Sequence, residues 1–478
     1  MKNLYIYIIG IALALNSCES VVEGLNKNPN SIEIDDIDAG LYVNTPELAL
    51  VSVLRGLDGR MASLWTGQII GVNQFPLAYY NYQLTESTFG FGGYQSVITQ
   101  CKHIQEAAPN NALYQGLTRV LEAYLFGFYA SAFGDVPASE VSTDVETPHF
   151  ESQKTVFAYS QRLLDEAIEY LKGVERPSFR QDYLYNGDVQ GWLEAAYTLK
   201  ARFYVITKEY DLAFQAAQKG ISSPTRSMLF RPINDNHSSN KNNWWSYSQN
   251  AYFGTEDANG KQSFLFDVLD SRNNSKTSEV ARKAYYYIDP TNSIVNHGKA
   301  SSLEPEPLLT YEENLLILAE TAARLQGFDV GLQYLNQLRA YYDGGGAVNA
   351  YFSAYEYNYD AYTADDFNTG GLLNKDGLPP LRALLREIIL ERYITGFTEF
   401  IPWDDARRLR GAGESDIAVQ IPLNNSTATA HPERFYYPET EMLANPNAPK
   451  DPGLFSGAVI QVGTMTDPYD NSTFVVDE

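Results

Sequence analysis

Apolar residues recur at helical spacing through most of the first half of the chain. Thr45, followed by Pro46, predicts a helix capped at Thr45 and running to about Leu57. The same periodicity predicts helices near 93–108, 111–132, 152–172, 190–207 and 209–221. Two later segments are as regular. In 311–326, Leu315, Leu318, Ala319, Ala322 and Leu325 form one stripe, and in 380–395 Leu381, Leu384, Leu385 and Ile388 do the same. Between 222 and 305 the pattern gives way to polar, Asn/Ser-rich and aromatic sequence. Residues 342–378 are rich in Gly, Asp and Tyr, and the tail from about 411 to 478 is irregular. Long irregular stretches inside a compact domain carry function or are poorly ordered.

A weak internal repeat organises these helices. Ala201, Tyr204, Ala213 and Ala217 have the small/aromatic spacing of a tetratricopeptide-type helix pair, and Ala319, Ala322, Gly331 and Leu335 repeat it. Small residues twelve apart let antiparallel helices approach closely, and stacked pairs build a curved scaffold. The expected fold is mostly α: a tetratricopeptide-like scaffold over about 45–221 and 306–410. Long irregular insertions at 222–305 and 342–378 would supply the binding region, all within one domain from 45 to 478.

The N-terminus adds an address. Lys2, an apolar run from Leu4 to Leu15 and the small residues before Cys18 form a secretory leader over 1–17. The run is too short to span a bilayer as a helix. A Cys directly after a small residue is the lipobox pattern of bacterial lipoproteins, so Cys18 is the expected lipidation site and 18–44 the anchor segment. Acyl chains add about 0.8 kcal/mol per buried CH₂, enough for several to hold a domain on a membrane.

Composition narrows the function. The net charge is −24, and removing the leader takes away Lys2 and gives −25. A chain this acidic is a poor partner for nucleic acid, whose phosphates need Lys/Arg clusters. Cys101 would be the one thiol left besides Cys18, so no intramolecular disulfide is available. The five histidines, His103, His149, His237, His297 and His431, have no helical metal-ligand spacing. No nucleophile elbow, phosphate-cradling loop or Cys/His pair is present. Asp35, Asp36 and Asp38 lack the spacing of a calcium loop. Asp404 and Asp405 are adjacent, whereas glycosidase carboxyls face each other across a sugar. Glu320 and Arg324, four apart on a helix, are an expected salt bridge. No catalytic motif and no cofactor or metal signature is evident in the sequence.

Several blocks, in order, carry a family resemblance. They are Leu25–Asn30; Phe133-Gly134-Asp135-Val136-Pro137-Ala138-Ser139-Glu140; Gly187-Asp188-Val189-Gln190-Gly191-Trp192; and Leu199-Lys200-Ala201-Arg202. Thr310–Glu313 with Leu318–Arg324, Leu390-Glu391-Arg392, Asp405–Arg408 and Arg434–Pro438 follow, and Glu441 with Asn445-Pro446-Asn447 closes the series. Together they resemble the SusD/RagB family of outer-membrane nutrient-binding lipoproteins. The family's Glu-Gly-x-Arg segment is replaced here by Glu399-Phe400-Ile401-Pro402. The resemblance implies a lipid-anchored outer-membrane protein that is not an enzyme and captures an oligosaccharide, or a peptide in some branches. It further implies a SusC-like TonB-dependent transporter as partner, with this chain as a hinged lid facing the cell exterior. In that family the quoted blocks are structural, and Asp405 becomes a partner for arginine.

The ligand site is then expected among aromatics in irregular sequence. The chain has 35 Tyr, 23 Phe and 5 Trp. Sugar C–H faces stack on flat rings, and hydroxyls need polar partners nearby. Trp244, Trp245 and Tyr247, flanked by Asn242, Asn243 and Gln249, form the leading cluster. Tyr79, Tyr80 and Tyr82, with Asn81, Gln83 and Phe89 nearby, form a second. Tyr355 and Tyr357, in a run with Tyr351, Tyr359 and Tyr362, form a third. Such rings would serve equally in an interface with the transporter.

Overall fold

The computed structural model describes residues 39–174, 182–234, 237, 240–249, 252–257, 259–292 and 295–457. The leader, Cys18, Leu25–Asn30 and the 35–38 acidic run lie outside the described residues. The chain opens with α1 (Asn44–Arg55), α2 (Leu57–Trp65), β1 (Ile70–Gly71), α3 (Gln74–Tyr80), α4 (Thr99–Ala107), α5 (Ala112–Phe133), α6 (Gln153–Lys172), α7 (Val189–Ile206) and α8 (Tyr210–Ala217). Next come β2 (Met228–Phe230), α9 (Asn243–Ser248), β3 (Phe253–Gly254), α10 (Phe264–Arg272), β4 (Thr277–Ser278), α11 (Val280–Tyr286) and β5 (Glu306–Leu309). The last part holds α12 (Tyr311–Gln326), α13 (Phe328–Tyr341), β6 (Asn358–Tyr359), α14 (Ala364–Phe367), α15 (Pro380–Thr395), α16 (Ile401–Gly411) and α17 (Glu439–Ala444).

Side-chain caps explain where the long helices begin. Asn111, Ser152, Asp188 and Thr310 each accept a hydrogen bond from a backbone N–H of the first turn, satisfying a donor the helix itself leaves unpaired. The expectation for Thr45 does not hold. Val43 occupies the cap position of α1 and offers no side-chain bond. A 3₁₀ turn at Ala39–Leu41 runs directly into the helix, and Thr45 N–H already bonds the Tyr42 carbonyl at 2.9 Å. The backbone is therefore turning before Thr45 can cap it. The 222–305 insertion is also less irregular than expected, since it contains α9, α10 and α11.

Consecutive helices pack as a chain of neighbours: α5 on α6, α6 on α7, α7 on α8, α8 on α12, and α12 on both α13 and α15. This is the stacked-pair scaffold read from the repeat. Gly331 shows why the small residues matter. A Cβ there would lie 2.5 Å from the Cβ of Ala323 on the facing helix, and one at Gly127 would lie 2.1 Å from the Phe203 ring. Among the described residues, two antiparallel strand pairs, β1–β3 and β2–β5, tie the first insertion back to the scaffold, and a third, β4–β6, joins the two insertions to each other. Ile70 faces Gly254, Met228 faces Leu309 and Thr277 faces Tyr359.

Two apolar cores result. The larger gathers α1, α2 and α5–α7; the smaller lies among α8, α12, α13 and α15. The tail closes the larger one. Phe435 is sandwiched between Phe89 (centroids 4.4 Å) and Trp403 (5.1 Å), with Trp65 edge-on. Cys101 is free and buried in the same core.

Buried arginines join these parts. Arg202 pairs with Glu313, its Nη2 lying 2.6 Å from Oε2. Arg408 reaches Glu320 at 2.7 Å and Asp405 at 2.8 Å, Arg392 reaches Asp405 at 2.7 Å, and Arg324 reaches Glu320 at 3.0 Å. Burial alone would push the Glu320 carboxyl up, but Arg408, Arg324 and Arg392 outweigh it and bring it down to about 2. Next door, Arg407 donates to the Ser131 carbonyl at 2.6 Å and pairs with Asp404. Arg202, Glu313, Glu320, Arg324, Arg392 and Asp405–Arg408, all in blocks singled out in the sequence, are thus scaffold ties. Asp404 and Asp405 are buried against arginines, not poised across a groove.

Candidate ligand-binding site

The two-residue ladder of β1 and β3 sets the segment from α2 to α3 beside α9. Trp65 Nε1 donates to the Tyr79 carbonyl at 3.2 Å, which fixes α3 against the end of α2. Two of the three aromatic clusters thereby converge on one residue, Arg60 of α2. Its guanidinium carbon lies 3.5 Å from the Tyr247 ring centroid and 5.7 Å from that of Phe253. Burial lowers the Arg60 pKa, while Tyr247, Asp58 and Tyr79 act in the opposite direction. Burial lifts Asp58 to about 7 despite the pull of Arg60. Burial raises the phenol of Tyr79, and Arg60 again opposes it.

The rim around Arg60 is aromatic and partly open. Phe75 is 70 % exposed and stacks on Tyr79, with centroids 6.3 Å apart. Tyr79, Tyr80 and Tyr247 are half-buried there, and Trp245, also half-buried, lies two residues before Tyr247 on α9. The Lys261 ammonium stands 5.7 Å from the Tyr80 ring centroid. Flat faces beside a guanidinium and an ammonium are what stacking and hydroxyl recognition require.

Other members of these clusters are packing residues. Trp244 is 2 % exposed and sits edge-on to Tyr247 and Phe253, so it offers no face to solvent. Its indole N–H has no hydrogen-bond partner among the described residues. Trp244 and Trp245 are consecutive on α9, where side chains diverge by about 100°, and one of them turns inward. Tyr82 is buried, holds a φ of 62° and accepts a hydrogen bond from Asn424 N–H at 3.0 Å.

The third cluster lies elsewhere, against α11 and the loop at 295–306. Tyr355 is exposed and Tyr357 half-buried, and Tyr351 stacks on His297 at 4.4 Å. Tyr359 and Tyr362 turn inward: Tyr359 donates to Glu279 at 2.8 Å, and Arg339 lies 3.6 Å from the Tyr362 centroid. The buried ion pairs of Glu279 and Glu391 with Arg272 and Arg282 surround them.

Arg60, Phe75 and Lys261 were not among the expected site residues. Arg60 sits on a helix that the pattern did not reveal, although Leu57, Met61 and Leu64 have helical spacing. Gly56 and Gly59 obscure it, since glycine lowers helix propensity. Among the described residues, no group of three or more His, Cys, Asp or Glu is placed to hold a metal ion. No helix among them is long and apolar enough to cross a membrane.

Comparison with known proteins places this architecture. A family model described as "SusD-like_2: Starch-binding associating with outer membrane" matches residues 66–438. No curated protein matches the chain. Among solved structures, a SusD/RagB family protein from Bacteroides thetaiotaomicron is 21 % identical with a TM-score of 0.63, covering 86 % of this chain and 95 % of that one. A SusD homologue from Bacteroides fragilis is 17 % identical with a TM-score of 0.61, covering 90 % and 100 %. A chitin-binding SusD homologue from Flavobacterium johnsoniae is 16 % identical with a TM-score of 0.62, covering 88 % and 97 %. With the fold shared and the family model spanning most of its length, this chain belongs to the SusD-like family of outer-membrane-associated binding proteins.

Proposed function

We propose that the chain captures an oligosaccharide on the rim formed by Phe75, Tyr79, Tyr80, Trp245 and Tyr247 and delivers it to a SusC-like TonB-dependent transporter. The observation that carries this reading is the convergence of two aromatic clusters on Arg60, with the exposed Phe75–Tyr79 stack at its edge. A sugar ring would lie on these faces, and Arg60 and Lys261 would donate to its oxygens. A diacylglyceryl group on Cys18 would keep the domain on the outer membrane, facing outward. The chain itself performs no reaction in this scheme. Family membership and the chitin-binding relative support a glycan as ligand.

A peptide is the second reading, favoured by Phe75 and Leu77, which are 70 % and 43 % exposed. Glycan and peptide arrays followed by calorimetry on Tyr79→Ala/Trp245→Ala separate the two. Glycan binding that is saturable and lost in the double variant supports the proposal. Unchanged binding removes this rim as the site, and binding confined to peptides removes the glycan. Membrane fractionation of Cys18→Ser checks the tether.

A further inference from the structure

A cavity of about 120 Å³ is lined by none of the residues of the aromatic rim. Its walls include Tyr285 and Tyr286 of α11, Lys299 and Glu304 of the loop before β5, Glu312 of α12 and Glu399. None of its lining residues belongs to α3 or α9. Val348 and Asn349 also line it and are half-exposed, so it is not sealed from solvent.

The carboxyls here are unequally provided for. Glu304 is fixed by the Tyr285 hydroxyl at 2.6 Å and by Asn349 Nδ2 at 2.8 Å. Glu399 is 5 % exposed, and its carboxyl makes no hydrogen bond among the described residues. Its nearest cation, Arg55, stands 3.9 Å away. The Lys299 ammonium lies 5.5 Å from the Tyr285 ring centroid. Arg55, Lys299 and Arg202, the last already paired with Glu313, thus face Glu399, Glu312, Glu304, Glu313 and the adjacent buried Glu306, five carboxyls against three cations.

The rest of the molecule shows what adequate pairing looks like. Glu320 and Glu391 are as deeply buried, yet their arginines bring both down to about 2. By contrast, burial lifts Glu306, Glu312 and Glu399, the last to about 7, and the nearby cations do not compensate. This region is short of positive charge.

We propose that the cavity is a binding site for the ammonium head of a small primary amine, seated between Glu399, Glu312 and the tyrosine walls. An organic ammonium suits it better than a metal ion. No set of metal ligands is present among the described residues, whereas tyrosine faces attract organic cations. At ~30 Å³ per water, the space equals about four waters, room for a head group of a few heavy atoms with any larger body projecting outward. This inference is independent of the glycan reading.

The test is thermal unfolding of the mature chain in methylammonium chloride, sodium chloride and tetramethylammonium chloride at matched ionic strength. Ligand that binds the folded state raises Tm with concentration. Methylammonium should raise Tm above both other salts, and Glu399→Gln should abolish that excess while the surface variant Glu169→Gln retains it. Equal shifts in the three salts, or an excess preserved in Glu399→Gln, overturns the proposal and leaves a water-filled cavity. Should Glu399→Gln fail to fold, the wild-type chain still decides. The methylammonium excess should be larger at pH 8 than at pH 5, because Glu399 must be charged. Arg55, Lys299, Glu312 and the Arg202–Glu313 pair face it throughout that comparison. An equal excess at both pH values also overturns the site.

Discussion

The Arg60 guanidinium lies 3.5 Å from the Tyr247 ring centroid, although the two residues are separated by most of the α scaffold in sequence. Replacing Arg60 with leucine keeps much of the packing and removes the charge. The expected cost is about 1–2 kcal/mol of stability, the range for a desolvated cation–π contact, together with weaker ligand binding. Lysine should restore binding only in part, since an ammonium lacks the planar stack. Urea denaturation and calorimetry on both variants check this.

The neighbouring tryptophans should behave differently. Trp244→Ala opens a core cavity and should cost about 3–5 kcal/mol. Trp245→Ala should change stability by less than about 1 kcal/mol yet weaken glycan binding about tenfold, ~1.4 kcal/mol. Paired melting curves and titrations read the contrast. Reversed phenotypes would show that the inward ring had been misassigned.

Glu320 should make the protein acid-sensitive. Its carboxyl falls to about 2 in the folded state, below the ordinary 4.5. Its contribution is therefore complete above about pH 4.5 and is lost as pH drops toward 2. Glu320→Gln removes one partner from a buried network and should cost about 3–5 kcal/mol at neutral pH, with a shallower loss of stability in acid. Urea midpoints across pH 2.5–7 would show it.

Glu399 should have the opposite slope. Burial lifts its folded pKa to about 7, above the ordinary 4.5, so the folded state holds this proton more tightly than the unfolded chain. The group costs nothing below about pH 4.5, and its penalty grows as pH rises toward 7, reaching about 3 kcal/mol at 1.36 kcal/mol per pH unit. Glu399→Gln should be more stable than the wild type at pH 8 and similar to it at pH 4.5.

Gly331→Val should loosen the α12–α13 pair. The added Cβ would begin 2.5 Å from that of Ala323, and such overpacking costs about 1–3 kcal/mol. A fall in Tm without loss of ligand affinity is the expected result.

The long helices were legible because two local signals agree in each: apolar spacing along the body and a polar cap at Asn111, Ser152, Asp188 or Thr310. Where only one signal was present, the reading slipped. Thr45 looked like a cap, but the turn at Ala39–Leu41 had already set the backbone. Helix α10 carries a cap at Ser263, yet its nine residues are too few for a firm periodicity. The site was legible as sets of rings but not as a surface. Choosing Trp245 over Trp244 requires knowing which side of α9 faces Phe253, and the approach of Tyr79 and Tyr247 to Arg60 depends on a two-residue ladder that no composition reveals. The segment Glu399-Phe400-Ile401-Pro402 gave no sign of what Glu399 packs against. Its environment came from Arg55, more than three hundred residues earlier.

Arg407 and Arg408 are adjacent, yet one grips Ser131 on α5 and the other Glu320 on α12. A single turn of α16 therefore rivets the two cores back to back. A displacement of either core is therefore passed to the other through two neighbouring guanidiniums, which couples the two ends of the scaffold at one point.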